Sequence, residues 1–141
     1  MSTAVLALGG NALARADEPA TITNQFRHAR ESMAAVVPLA REGWRIVIVH
    51  GNGPQVGDSL VRNEVARRVV EPLPLGVLVA ETAGWIGYML QQSLQNALEA
   101  SGIRMHRMTV QVDDGQRPDM EQRDGSGRDQ VVARLGPGDY F

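Results

Sequence analysis

Two short apolar runs, each stopped by a loop of glycine and asparagine, constrain this chain more than any other feature. The first is Thr3-Ala4-Val5-Leu6-Ala7-Leu8, ended by Gly9-Gly10-Asn11. The second is Arg45-Ile46-Val47-Ile48-Val49, ended by His50-Gly51-Asn52-Gly53-Pro54. Short apolar runs of this kind have the form of strands buried in a parallel sheet. Parallel neighbours need a crossover between them, usually a helix, and the intervening residues supply one. Thr21 or Thr23 is a candidate N-cap. Ile22, Phe26, Ala29, Met33 and Val36 or Val37 then recur at helical spacing up to Gly43, a suitable residue just past a helix end. Pro38 lies inside that pattern and is expected to kink the helix near Ala34.

A second helix is expected from Gln55 to about Arg68, and Pro72 and Pro74 punctuate the connection after it. The longest helical pattern runs from about Leu78 to Ala100. Its wide apolar stripe consists of Leu78, Trp85, Ile86, Met89, Leu90, Leu94, Ala97 and Leu98, and Gly102 closes it. Met108 to Val112 reads as a third strand. Strand, helix, strand, helix, helix, strand is the order of an α/β protein with a parallel sheet and right-handed crossovers. Residues 1–115 read as one folded unit. Residues 116–141, crowded with Asp, Gly, Arg and Gln, read as a divergent polar tail, a loop or a disordered segment.

Composition narrows the partners. A net charge of −2 gives no general electrostatic reason to expect nucleic acid or an anionic membrane. There is no cysteine, which removes disulfides and thiolate metal sites. The apolar start lacks a basic segment and is cut short at Gly9, and no run reaches the roughly 18 apolar residues of a membrane span. The expectation is a soluble, cytoplasmic protein. All fourteen basic residues are arginines, so these 141 residues hold no ammonium side chain to place on a transferring phosphate.

In a parallel sheet both strand ends lie on one edge, the edge where open α/β sheets bind ligands. Glycines let main-chain N–H groups approach an anion closely and adopt positive φ. Gln55 opens a helix, whose N-terminal N–H groups and dipole favour negative charge. The amides of Asn11 and Asn52 can donate without adding charge. Neither loop has the Lys-Ser/Thr pair of a Walker A, and neither has the dinucleotide spacing. A small anion or phosphoryl group held by neutral donors is the chemistry these loops imply, and no metal ligand set is read from the chain.

Ala7-Leu8-Gly9-Gly10-Asn11-Ala12-Leu13 and His50-Gly51-Asn52-Gly53-Pro54-Gln55-Val56-Gly57 resemble the two signature loops of carbamate kinases, in the amino acid kinase superfamily. The segment Ala80 to Gln92, with Ile86-Gly87-Tyr88-Met89-Leu90-Gln91-Gln92, is similar to the helix that follows there, and Thr109 to Asp113 to the next strand. The resemblance runs from about Val5 to Asp114, the N-terminal half of that family. It implies a three-layer α/β/α sandwich with a mainly parallel sheet. It also implies reversible phosphoryl transfer between ATP and carbamate, giving carbamoyl phosphate and ADP, in arginine catabolism. By the resemblance, Gly9, Gly10 and Asn11 hold the transferring phosphoryl group, with Gly10 and Asn11 catalytic, and Gly51, Asn52 and Gly53 hold the carbamate. ATP or ADP with Mg2+ is the implied cofactor, and a homodimer through the 78–100 helix the implied assembly.

The chain also departs from that family. Its members carry most of the nucleotide site in a later half and place lysines on the phosphates. Here Ala133 or Arg134 stands before Leu135-Gly136-Pro137, where a lysine is expected. A non-catalytic homologue that folds, dimerises and binds a small anion or a full-length paralogue is therefore the alternative reading. Another amino acid kinase, such as a relative of acetylglutamate kinases, fits the two motifs less well. His50 is expected to make a structural hydrogen bond rather than move a proton. Glu81 is expected at a helix start, and Gly84 and Gly87 to allow close helix contact.

Overall fold

The computed structural model describes residues 2–104 and the backbones of two short strands at 110–111 and 134–135. Strand β1 (Thr3–Leu8) pairs in parallel with β2 (Arg45–His50), from Thr3 opposite Arg45 to Leu8 opposite His50. The two strands therefore end level, and the loops that follow leave from the same edge. Leu6, Leu8, Ile46 and Ile48 face a core built by helices. Val5, Val47 and Val49, on the other face, are exposed. The runs read as buried on both sides; among the described residues one side is covered.

Helix α1 (Gly10–Leu13) is a single turn directly after β1, and it buries Leu13 completely. Helix α2 (Ile22–Ala34) starts at Thr21, whose hydroxyl accepts from the Asn24 N–H at 3.2 Å, which decides between the two candidate caps. The proline acts more sharply than a kink. The helix stops at Ala34, and α3 (Val37–Arg41) begins with Pro38 in its first turn, where a missing N–H leaves no bond unmade. Gly43 ends this stretch at φ +77°, and Gly102 follows the long helix ending at Ala100 at φ +70°; both sit in the left-handed region that suits glycine.

Helix α4 spans Gly53–Ala66, starting two residues before the expected Gln55, with Pro54 in its first turn. Helix α5 spans Leu75–Ala100, three residues longer at its start than expected, because Pro74 itself caps it. The long apolar stripe is the core: Leu78, Ile86, Met89, Leu90, Leu94 and Leu98 are all buried, against Leu13, Ala29, Met33, Val36 and Val37. At about 25 cal/mol per Å2 of apolar area removed from water, these side chains are the main favourable contribution to folding.

Three expectations are corrected here. Ile22 was placed on the buried stripe of α2 but is 53% exposed; the buried face instead takes in Gln25 and His28. Helical spacing leaves the choice of face open, and Gln25 and His28 find partners inside. Glu81 lies two turns into α5, not at its start, because the helix begins earlier. The third strand is described only at Val110–Gln111 (β3), which pairs antiparallel with Arg134–Leu135 (β4) rather than joining β1 and β2. The rest of Met108–Val112 and of the 116–141 tail lies outside the described residues. No helix among the described residues is long and apolar enough to cross a membrane.

Candidate anion site at the paired strand ends

The loops after β1 and β2 meet closely. A Cβ added to Gly10 would lie 2.6 Å from Pro54 Cδ, 3.3 Å from Gln55 Oε1 and 3.4 Å from the Gly53 nitrogen. One added to Gly51 would lie 3.4 Å from the Gly10 nitrogen. Nothing comes within 4 Å of a Cβ on Gly9 or Gly53. Gly10 is therefore the position where only glycine fits, and it fits for space. The loop glycines were expected to supply positive φ as well. Among the described residues only Gly43 and Gly102 do so, and Gly9 is extended at φ −64°, ψ 152°.

The N–H groups divide into spent and available. Gly51 N–H donates to Leu8 O at 2.9 Å, one more rung of the strand pairing. Ala12 N–H donates to Gly9 O at 2.9 Å and Ala14 N–H to Gly10 O at 3.0 Å, closing the α1 turn. Those of Gly10, Asn11, Gly53 and Gln55 fall in the first turns of α1 and α4, where helical geometry offers no acceptor. Gly10 and Gly53 stand face to face across the junction, at the positive end of the fourteen-residue α4.

Asn52 corrects an expectation about side-chain donors. Its amide donates to Val79 O at 3.1 Å and to Thr82 Oγ1 at 3.0 Å, both on α5. The Thr82 hydroxyl lies within 2.7 Å of Leu78 O and 3.0 Å of Val79 O. Both Asn52 N–H groups are thus used internally, and the remaining carbonyl oxygen can only accept. Asn52 fastens the β2–α4 loop to α5. Asn11, by contrast, is exposed at the loop.

His50 lies beneath the second loop with Nδ1–H directed to Gly51 O at 3.3 Å, the structural bond expected of it. Desolvation lowers its pKa from the ordinary 6.5, and the bond to Gly51 opposes that in part. No group of three or more His, Asp or Glu side chains among the described residues could hold a metal ion.

The sequence left three contributors to this site unmarked, Thr82, Val79 and Gln25, and gave Gln55 only a backbone role. Thr82 and Val79 anchor Asn52, while Gln55 and Gln25 lie behind the junction, both buried. Gln55 stands inside the second loop motif and could have been found there. Gln25 carries no signal beyond its place on the buried side of α2.

Several carbamate kinases are similar to this chain. A carbamate kinase of Escherichia coli strain K12 is 54% identical over 94 residues, 67% of this chain and 31% of its own length. That of Escherichia coli O157:H7 is 47% identical over 112 residues, covering 79% and 37%. The Halobacterium salinarum carbamate kinase is 40% identical over 137 residues, covering 97% and 41%. A solved Giardia lamblia carbamate kinase bound to AMP-PNP superposes with a TM-score of 0.70 at 33% identity, covering 79% of this chain and 41% of that one. The chain is a carbamate kinase homologue. It spans less than half the length of the relatives it matches, and it shares the α/β fold of that family. No protein-family model matches it.

Three outcomes test this geometry. Gly10→Ala is expected to lower stability by about 1–3 kcal/mol, as overpacking does, while Gly9→Ala changes it little; urea denaturation of both variants checks the contrast. Asn52→Ala is expected to cost about 1–3 kcal/mol of stability by leaving its buried α5 partners unpaired, whereas a residue used only for ligand binding would leave the melting curve in place. A lowered folded-state pKa means the unfolded chain binds the His50 proton more readily. Stability is therefore expected to fall as pH drops below 6.5. Denaturation at pH 7.5 and 5.5 should show a smaller difference in His50→Gln than in the parent.

Proposed function

We propose that the chain provides the carbamate- and phosphoryl-binding part of a carbamate kinase, an ATP-dependent phosphotransferase of the cytoplasm. The observation that supports this reading is the close approach of Gly10 to the Gly53 nitrogen, which brings the two loops into contact at the paired strand ends. Carbamate and the phosphoryl group are small, planar or tetrahedral anions, and converging N–H groups match their oxygens without a competing acceptor. Gly9, Gly10 and Asn11 take the phosphoryl side; Gly51 and Gly53 shape the carbamate side, with Asn52 holding that loop in place. Catalysis in such a site consists of holding two reactants in line and stabilising charge.

The non-catalytic reading is favoured by one observation. None of the 141 residues is a lysine. Neutral donors can bind the anion, but the charge of a phosphoryl group in transfer calls for cations. Binding without turnover by these 141 residues is the form the proposal takes. Assembly through α5 is retained with a change of contact. Gly87 and Met89 are buried inside the subunit, so a homodimer would use the exposed Val77 and Tyr88 side of that helix.

Calorimetric titration with carbamoyl phosphate is expected to show saturable binding that Gly10→Ala abolishes. Coupled detection is expected to show no ATP from carbamoyl phosphate and ADP above a blank. Absence of binding at millimolar ligand would overturn the site, and turnover by the purified chain would overturn the non-catalytic form.

A further inference from the structure

Behind the junction, Gln55 Nε2 donates to Gln25 Oε1 at 2.9 Å and reaches Gly10 O at 3.5 Å, while Gln25 Nε2 donates to Ala20 O at 2.9 Å. Gln25 is 4% exposed and Gln55 3%. Gln55 Oε1 is buried with no hydrogen-bond partner and lies beside the Gly10 Cα. We propose that Gln25 and Gln55 are positioning residues for the anion site, a buried amide pair that sets the direction of the N–H group at Asn11. This rests on the reading of that site given above.

Packing alone does not account for the pair. Two buried amides with one oxygen left unsatisfied are a poorer filling than two apolar side chains of the same shape. The arrangement does something an apolar pair cannot. Gly10 C=O and Asn11 N–H belong to one planar trans peptide and point in opposite directions. A donor that holds the Gly10 oxygen from behind therefore aims the Asn11 N–H out of the loop, away from the core. Ala14 N–H holds the same oxygen from within α1, so the peptide has two fixed points. Gln55 also belongs to the first turn of α4, so its side chain grips one loop while its backbone is part of the other. Gln25 completes the chain by tying that grip to Ala20, at the entry to α2. The spacing of donors from the two loops is thereby referred to a third element.

The double variant Gln25→Met/Gln55→Met separates positioning from packing, because it replaces both amides with unbranched apolar chains. The 141-residue protein is examined by melting, by amide NMR of Gly10, Asn11 and Gly53 without ligand, and by titration with carbamoyl phosphate. The expected result is a melting temperature within a few degrees of the parent, a displaced Asn11 amide signal, and affinity reduced about five- to tenfold, the scale of one misdirected hydrogen bond. An intact fold with unmoved amide signals and unchanged affinity would overturn the proposal. If the parent itself binds no carbamoyl phosphate, the functional reading fails, and the ligand-free amide signals still decide whether the pair directs the loop. Should the double variant not fold, Gln25→Met alone decides by the same signals: displaced supports positioning, unmoved overturns it.

Discussion

Level termination of two parallel strands is the constraint on which the rest of this structure depends. Leu8 and His50 are register partners, and Gly51 N–H adds a bond to Leu8 O just beyond them. That extra rung brings the second loop back against the first, so that Gly10 and Gly53 face each other with no room for a side chain at Gly10. A slip of one residue would turn Leu6, Leu8, Ile46 and Ile48 from the core to the outer face. The hydrophobic pattern that builds the core therefore also sets the distance between the two loops. Fold and site are one geometric decision.

Around that decision the polar side chains divide by direction. Asn52, Thr82, Gln55 and Gln25 all turn inward and bond to backbone or to one another, and none of their N–H groups with a described partner is directed to solvent. What faces outward at the junction is main chain together with the exposed Asn11. This fits a site for a small anion. Backbone N–H groups lose no rotamer entropy on binding, and fixed dipoles need no reorganisation when charge arrives. Asn52 serves by holding the backbone, through its bonds to Val79 O and Thr82 Oγ1.

Much of this was legible because it depends on local patterning. Both strands, the Thr21 cap, the break around Pro38, the C-terminal glycines at 43 and 102 and the core stripe of α5 follow from periodicity and from the stereochemistry of proline and glycine. The two loops were legible as a pair because each follows a strand. The direction of a side chain is different: nothing in Gly51-Asn52-Gly53 states whether the amide points out to an anion or back to Thr82, thirty residues away. Gln25 was hidden for the same reason. Its partner lies thirty residues on, and on α2 it competes with Ile22 for a face that the period alone leaves open.

The strands also carry a message about thickness. A sheet meant for water on one side alternates polar with apolar, yet Val5, Val47 and Val49 stand on the outer face of β1 and β2. A three-layer sandwich accounts for them, since it covers a parallel sheet on both sides, and relatives that share the fold are more than twice as long. The same division applies to chemistry. Neutral N–H groups suffice to hold carbamate or a phosphoryl group in place. Cations that would stabilise charge during transfer are absent from this sequence as lysine. Apolar surface waiting for a second layer and anion donors waiting for cations lie on the same two strands and their loops. On the reading proposed above, these strands and loops serve recognition of the small anion, and the charge of transfer is a separate requirement that neutral donors do not meet.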